Sequence, residues 1–204
     1  MVITSIVSLD RKRSRVLLDQ DLALVLYPGD LRQFHMEEGG ELPQKAYEQL
    51  VEQVLKPRAR ERVLSSLLVS DKTRKELLSL LSREGYPGEV IEDAIRMAEY
   101  YHYLDDQAFG ERYVQAQGQR KSRRRLISDM EKKGFDRELI QELLEECPVD
   151  EEKQIRKILE KKRIDPGKIT EPKEYARLAG MLARKGYSYE AVSRVLNDTE
   201  PFFD

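Results

Sequence analysis

One short pattern occurs three times in this chain and limits the folds that it can adopt. A glycine follows a charged pair and precedes an aromatic residue, a leucine lies eight residues before it, and a glutamate lies four residues after it. The glycines are separated by 134 − 85 = 49 and 186 − 134 = 52 residues, which is typical of repeated supersecondary units. They are Gly85, Gly134 and Gly186, followed by Tyr86, Phe135 and Tyr187.

Each repeat predicts a helix that stops at its glycine. Glycine suits the left-handed position that ends a helix, and the aromatic residue can then pack back on the last turn. Pro87, Asp136 and Ser188 open the next helices, the latter two as N-caps. Further helices are predicted upstream, near residues 58–69, 105–117 and 150–162. The helix after Pro87 is predicted to be the longest, and residues 162–172 are the best linker.

The first forty residues have short β-branched runs instead of helical periodicity. Residues 2–9, 15–19 and 22–27 are predicted strands, the last of them stopped by Pro28-Gly29-Asp30. A helix is predicted from Pro43 until Pro57 interrupts it. The expected fold is mainly α, with tandem three-helix (helix-turn-helix-like) bundles in an elongated array after a small N-terminal antiparallel β meander. The predicted parts are residues 1–57, 58–104, 105–149 and 150–204.

Composition argues against several classes of protein. Cys147 is the chain's one cysteine, so a disulfide scaffold is excluded, and we expect it to be a buried helix residue. The uncharged residues 1–9 are far short of the ~20 needed to span a membrane. His35 and His102 have no partner at metal-ligand spacing, and no phosphate-binding loop occurs. We expect a cytoplasmic monomer without membrane contact, metal, cofactor or catalytic residues.

The charges are segregated although their total is nearly balanced, at 36 − 38 = −2. Between positions 111 and 133 eight basic residues face three acids, and between 136 and 152 eight acids face one arginine. Because a basic run at a helix start opposes the helix dipole, it favours partner binding over a solvated, acid-paired face, the alternative reading. The candidate partner- or DNA-binding residues are Arg112, Arg120, Lys121, Arg123, Arg124, Arg125, Lys132 and Lys133.

Two further groups have a structural and a functional interpretation. Four aromatic residues could stack on bases, but their helical spacing favours core packing; they are Tyr101, Tyr103, Phe109 and Tyr113. Asp105 and Asp106 could serve acid–base or metal chemistry, yet their place before an apolar helical pattern favours helix capping.

Several motifs together resemble the RecX family. The segment Tyr-Leu-Asp-Asp-Gln-Ala-Phe at residues 103–109, the basic run and Lys-Lys-Gly-Phe at 132–135 resemble its middle module. Residues 182–189 resemble its third module, and residues 10–19 with 38–42 its N-terminal extension. In family members a glycine usually comes just before the basic run, whereas here four residues separate Gly118 from Arg123.

The resemblance implies a non-enzymatic regulator of the RecA recombinase. Family members bind the RecA filament on DNA, usually inhibit strand exchange and ATP hydrolysis, and in some cases bind DNA directly. A rival hypothesis is a helix-turn-helix protein acting directly on nucleic acid. It is weakened because only the middle unit has a basic block, and the helix after Gly134 is acidic. A third possibility is a structural adaptor that binds neither DNA nor RecA.

Overall fold

The β-branched runs at the start of the chain form a three-stranded antiparallel sheet. The computed structural model describes residues 1–19, 22–169 and 171–198. Its strands are β1 (Ile3–Ser8), β2 (Ser14–Leu18) and β3 (Ala23–Leu26), in the order β1-β2-β3. Val16 pairs with Leu24 and both are fully buried, so one face of the sheet joins the core. The predicted meander is confirmed.

A short helix that the sequence did not predict follows the sheet. Pro28-Gly29-Asp30 is the first turn of α1 (Pro28–Gln33), not a simple chain reversal. The Asp30 carboxylate accepts hydrogen bonds from the Tyr27 backbone N–H at 2.8 Å and from the two terminal guanidinium nitrogens of Arg58 at 2.9 and 3.0 Å. A partner 28 residues away therefore helps to hold this turn as a helix.

The prediction that Pro57 ends a helix is wrong. The chain runs from α2 (Gln44–Leu50) through a π-helical turn (Val51–Leu55) into α3 (Lys56–Val69). The π-turn places Pro57 in the first turn of α3, where its missing N–H is tolerated. With 14 residues, α3 also exceeds the 13 of the helix after Pro87, which was expected to be the longest.

The remaining helices follow the predicted repeat. They are α4 (Arg74–Arg83), α5 (Gly88–Tyr100), α6 (Asp106–Gln117), α7 (Arg123–Lys133), α8 (Arg137–Glu146), α9 (Glu151–Lys161), α10 (Pro172–Arg184) and α11 (Tyr189–Leu196). The predicted linker contains a 3₁₀ turn, Pro166–Lys168, and its Thr170 lies outside the described residues. The mainly helical fold with an N-terminal meander is confirmed.

The three glycines have the backbone that the repeat predicts. Their φ angles are +82°, +93° and +89°. After each one, the aromatic N–H donates to a carbonyl five residues back; Tyr187, for example, donates to Leu182 O at 3.3 Å. This bond is the one that closes a helix at a left-handed residue. Phe135 and Tyr187 are buried and Tyr86 is half-buried, so the aromatic residues do pack back.

The predicted caps differ in what their side chains do. The Ser188 hydroxyl accepts the Ala191 N–H at 3.3 Å, whereas Asp136 occupies the N-cap position without a side-chain hydrogen bond. Asp106 begins α6, and its carboxylate accepts the backbone N–H of Arg74, the first residue of α4, at 2.9 Å. One of the paired aspartates therefore supports the start of a different helix.

The chain forms two compact units, Met1–Asp106 and Gln107–Asp204. In the first, the sheet and α2 to α5 share one hydrophobic core. In the second, α6 to α8 enclose one core and α9 to α11 another. The division at residues 57, 104 and 149 stays a prediction. No helix in the described part of the chain is long and apolar enough to cross a membrane.

Two burial predictions are wrong. Cys147 is exposed because the backbone leaves the helix there, at the C-cap of α8, so its side chain no longer follows the buried face of Leu143 and Leu144. Tyr101 and Tyr103 are exposed because α5 ends at Tyr100, and the helical spacing on which core packing was predicted ends with it. Phe109 is buried as expected.

Candidate partner-binding site

The basic run begins helix α7 and supplies its whole first turn. Ser122 is the N-cap, and Arg123, Arg124 and Arg125 follow with no acidic residue among them. The Ser122 hydroxyl accepts the Arg125 N–H and donates to the Lys185 carbonyl at 2.9 Å, and the residue is only 1% exposed. Three arginines thus lie where the helix dipole is positive, which disfavours them electrostatically.

A carboxylate from another helix compensates for this turn. Glu151, the first residue of α9, accepts the backbone N–H of Arg123 at 2.9 Å through Oε1. Its Oε2 accepts the Ser188 N–H at 3.0 Å and the Ser188 hydroxyl at 2.7 Å. One negative charge therefore serves the N-termini of both α7 and α11.

Gln154 lies one turn further along α9 and joins the same two regions. Its Nε2 donates to the carbonyls of Gly118 and Lys121 at 2.6 and 3.2 Å. Its Oε1 accepts the Tyr187 hydroxyl proton at 3.0 Å, and all these groups are buried or half-buried. Because every hydrogen bond is directional, the turn before α7 and the turn before α11 are fixed relative to α9.

The structure brings part of the predicted basic set together. Arg123 and Arg124 are exposed at the start of α7, and Arg120 is exposed in the turn before it. Lys132 is exposed in the last turn of α7, about 12 Å away at 1.5 Å per residue. Arg112 is exposed on α6. The set therefore spans both ends of α7 instead of forming one cluster.

At least four of the predicted cations are engaged within the protein, and Arg112 is one of them. The Lys121 ammonium donates to Asp129 at 2.9 Å and to the Tyr113 hydroxyl at 3.4 Å, and the Asp129 hydrogen bond raises the pKa of Lys121. Arg125 lies 3.4 Å from the same carboxylate. The Lys133 ammonium lies 5.6 Å from the centre of the Phe109 ring, within cation–π range. Arg120, Arg123 and Arg124 are therefore better candidates for an external partner.

Two of these arginines also line a cleft. Arg123 and Arg124 form one wall, and the start of α11 with Tyr189 forms another, around a volume of about 740 Å³. Four carboxylates also line the cleft, those of Asp150, Glu151, Glu152 and Glu190, with Arg194 as a third arginine. Glu151 accepts hydrogen bonds from two backbone N–H groups and the Ser188 hydroxyl, and Glu152 pairs with Arg194 at 3.0 Å. The exposed guanidinium groups, and not the cleft as a whole, are therefore the candidate contacts for an anionic partner.

The neighbouring helix has the opposite charge. The solvent face of α8 carries Asp136, Glu138, Glu142, Glu145 and Glu146, all of them exposed. This face would repel phosphate, so a recognition helix lying in a DNA groove at this position is electrostatically disfavoured.

Sequence reasoning missed the residues that hold the arginine turn. Ser122 has a recognisable signal, a hydroxyl residue directly before a helix. Glu151 and Gln154 have none, since their partners lie 28 to 37 residues away in sequence. In the described ranges, no group of three or more His, Cys, Asp or Glu side chains is placed to hold a metal ion.

Comparisons with known proteins agree with this architecture. Residues 105–144 match the second three-helix domain of RecX, and residues 150–196 match its third. The chain is 33% identical to the regulatory protein RecX of Mycolicibacterium smegmatis over 158 residues, covering 70% of this chain and 84% of the relative. It is 28% identical to the regulatory protein RecX of Caldanaerobacter subterraneus subsp. tengcongensis over 203 residues, covering 98% of this chain and 100% of the relative.

Solved structures have the same fold. A crystal structure of regulatory protein RecX superposes with a TM-score of 0.61 at 20% identity, covering 97% of this chain and 99% of the other. The crystal structure of RecX from Lactobacillus salivarius superposes with a TM-score of 0.63 at 18% identity, covering 72% of this chain and 97% of the other. From the two domain matches and the 33% identical relative, of which the chain covers 84%, this protein belongs to the RecX family of regulatory proteins.

Proposed function

We propose that this protein binds the RecA–DNA filament and lowers its ATPase and strand-exchange activities, as a regulator of homologous recombination and DNA repair. The observation that carries the proposal is the exposed arginine turn at the start of α7, held in place by Glu151. The names of the relatives support a regulatory role.

The chemistry of this turn suits a filament of protein and DNA. An arginine side chain can bind a carboxylate or a phosphate with two parallel hydrogen bonds. Arg123 and Arg124 form no ion pair within the described residues, so both are available to a partner. Tandem units can also follow a periodic partner and multiply weak contacts through effective concentration.

The test replaces both arginines by glutamate, as Arg123→Glu with Arg124→Glu. Glutamate suits the first turn of a helix, so this change removes the basic surface and is not opposed by the helix dipole. We expect the concentration needed for half-maximal inhibition of DNA-dependent RecA ATPase to rise at least tenfold. Filament length and strand exchange should respond in parallel.

The matched control is Arg137→Glu. Arg137 is also exposed and is the first residue of α8, but it lies beside the acidic face. Its replacement should leave inhibition unchanged. Equal inhibition by the double variant and the parent protein would contradict the assignment of the site, and absence of any effect of the parent protein on RecA would contradict the function.

The rival function is sequence-selective DNA binding without RecA. A mobility-shift titration over several duplex sequences and salt concentrations separates the two. Contacts from all five basic residues of the run would give a log–log salt slope of about −4 to −5 on duplex DNA. Tight, sequence-selective binding by the protein alone would favour the rival, which the acidic face of α8 disfavours.

A further inference from the structure

Four consecutive ring side chains are exposed at the end of α5. Tyr100 is 77% exposed, Tyr101 59% and Tyr103 58%, and His102 between them is exposed as well. The Tyr100 and Tyr101 ring centres are 5.1 Å apart, and those of Tyr101 and Tyr103 are 6.1 Å apart. We call these four residues the tyrosine patch. Tyrosine usually buries most of its ring in a folded protein, so such a cluster is typical of a binding surface.

The backbone at His102 ends α5 within the patch. Its φ is +57°, the left-handed region in which a side chain is unfavourable and glycine is preferred. α1 and α9 are also followed by a residue other than glycine in this region, His35 at φ +50° and Arg163 at φ +55°, so the conformation is not peculiar to this turn. Its consequence here is that the helix ends inside the patch, so that Tyr103 no longer follows the buried face of α5.

Several charged side chains lie near the patch on α5. Asp93 binds Arg60 at 2.7 and 2.9 Å, while Glu92 and Glu99 lie 3.0 and 3.1 Å from Arg74. The carboxylates on this side of α5 are therefore paired. Arg96 lies one turn before Tyr100, is exposed, and forms no ion pair within the described residues.

We propose that the tyrosine patch binds single-stranded nucleic acid by stacking unpaired bases on its rings, with Arg96 meeting the backbone phosphate. Tyrosine, histidine and arginine are the side chains on which unstacked bases lie, and stacking tolerates any base sequence. Bases of a duplex are already stacked and cannot reach such rings. The patch lies on the first unit and does not use α7, so this inference goes beyond the proposed function and does not depend on it.

Binding to the protein alone tests the patch directly. The probes are an oligothymidine of about 12 nucleotides and an abasic oligomer of equal length and charge. Because the chain contains no tryptophan, its ten tyrosines dominate the intrinsic emission, and stacking should quench it. We expect the oligothymidine to bind about tenfold more tightly than the abasic oligomer. Since few phosphates are contacted, the salt slope should be shallow, about −0.7 per contact.

Two variants assign the base preference to these rings. Tyr100→Ala with Tyr103→Ala should abolish the difference between the two oligomers, and Tyr→Phe at both positions should restore it because phenylalanine also stacks. Both residues are exposed, so the fold is not expected to weaken. Tyr189→Ala is the matched control, since Tyr189 is 81% exposed but lies on the second unit, and it should leave the preference unchanged.

The outcomes separate this inference from the proposed function. The α7 double variant, Arg123→Glu with Arg124→Glu, should change RecA inhibition while keeping the preference for oligothymidine. Equal affinity for both oligomers, equal affinity for duplex and single strand, or a preference that survives in the alanine variant would each overturn the stacking site. Loss of RecA filament binding alone in the alanine variant would identify the patch as a protein contact instead and also overturn it.

Discussion

Gly85 and Gly186 end equivalent helices with nearly the same backbone, yet they meet different kinds of neighbour. A Cβ at position 85 would overlap the Cγ2 atom of Val25 on β3. A Cβ at position 186 would lie 2.7 Å from the Ser122 hydroxyl at the start of α7. The first turn therefore packs against an apolar sheet residue, and the second fits against a hydrogen-bonded polar cap.

The difference shows how one repeated turn serves two purposes. Apolar packing is non-directional, so the contact with Val25 adds stability without specifying an orientation. Around Gly186, hydrogen bonds from Ser122 to Lys185 and from Ser188 to Glu151 are directional and hold α7 in one pose. A turn that the sequence repeats can thus close a core in one unit and align a candidate binding site in the other.

The largest effect should come from Gly85→Ala. The substitution combines a left-handed backbone with overlap against a β-branched side chain that has little room to move. Unfolding free energy should fall by about 2–4 kcal/mol. Urea denaturation of the full chain measures it, with Gly88→Ala as the control, because nothing lies within 4 Å of a Cβ there. A loss of similar size in both variants would contradict the packing argument.

Gly186→Ala should lower the free energy of unfolding by about 1–3 kcal/mol. The size of this loss should depend on whether the Ser122 hydroxyl is present. Ser122→Ala alone removes a cap and a buried hydrogen bond, at about 1–2 kcal/mol. In the double variant the overlap is gone, so the combined loss should be smaller than the sum by at least about 0.5 kcal/mol. Gly85→Ala with Ser122→Ala should be additive. Additivity in both pairs would show that the two glycine turns do not differ in the proposed way.

Glu151→Gln should lower the free energy of unfolding by about 1 kcal/mol, because it removes the negative charge at the N-termini of α7 and α11. Amide hydrogen exchange should speed up at Arg123 and Ser188 together, since both N–H groups donate to this carboxylate. Glu152→Gln, which breaks only a partly exposed pair with Arg194, should leave both amides unchanged. Faster exchange at only one of the two amides would mean that the carboxylate does not couple α7 to α11.

The smallest effect is a pH dependence shared by the two units. The Arg60 hydrogen bond lowers the pKa of Asp93 in the first unit, and the Lys121 hydrogen bond lowers that of Asp129 in the second. A carboxyl group whose pKa is lower in the folded than in the unfolded protein stabilises the fold at pH values above its unfolded pKa of about 3.9. That stabilisation is lost as the pH falls through the folded pKa. Each contribution should stay below about 1 kcal/mol because the partners are partly exposed.

Urea midpoints at pH 7 and pH 3 provide the measurement for these aspartates. Asp93→Asn and Asp129→Asn should each lower the midpoint more at pH 7 than at pH 3, because the native aspartates lose part of their stabilising charge as the pH falls. A variant that loses equal stability at both pH values would point to packing as the cause and not to the ion pair.

The features predicted correctly from sequence depend on neighbouring residues. The glycine turns, the three strands and the helix starts follow from residue types within a few positions of one another. The arginine turn was found for the same reason. The residues that hold the arginine turn in place were not predicted, because Glu151 and Gln154 contact residues far away along the chain. No single sequence reveals such pairs. The exposure of Tyr101 and Tyr103 depends on where α5 ends and on what covers it.

The exposed thiol at the end of α8 has a practical consequence. Cys147 is the chain's one cysteine, so a maleimide dye or a nitroxide label attaches at a single known position without any other residue being changed. That position lies on the same unit as the arginine turn. If the proposed filament binding is correct, energy transfer from this label to a dye on the DNA would report how near the end of α8 lies to the strand.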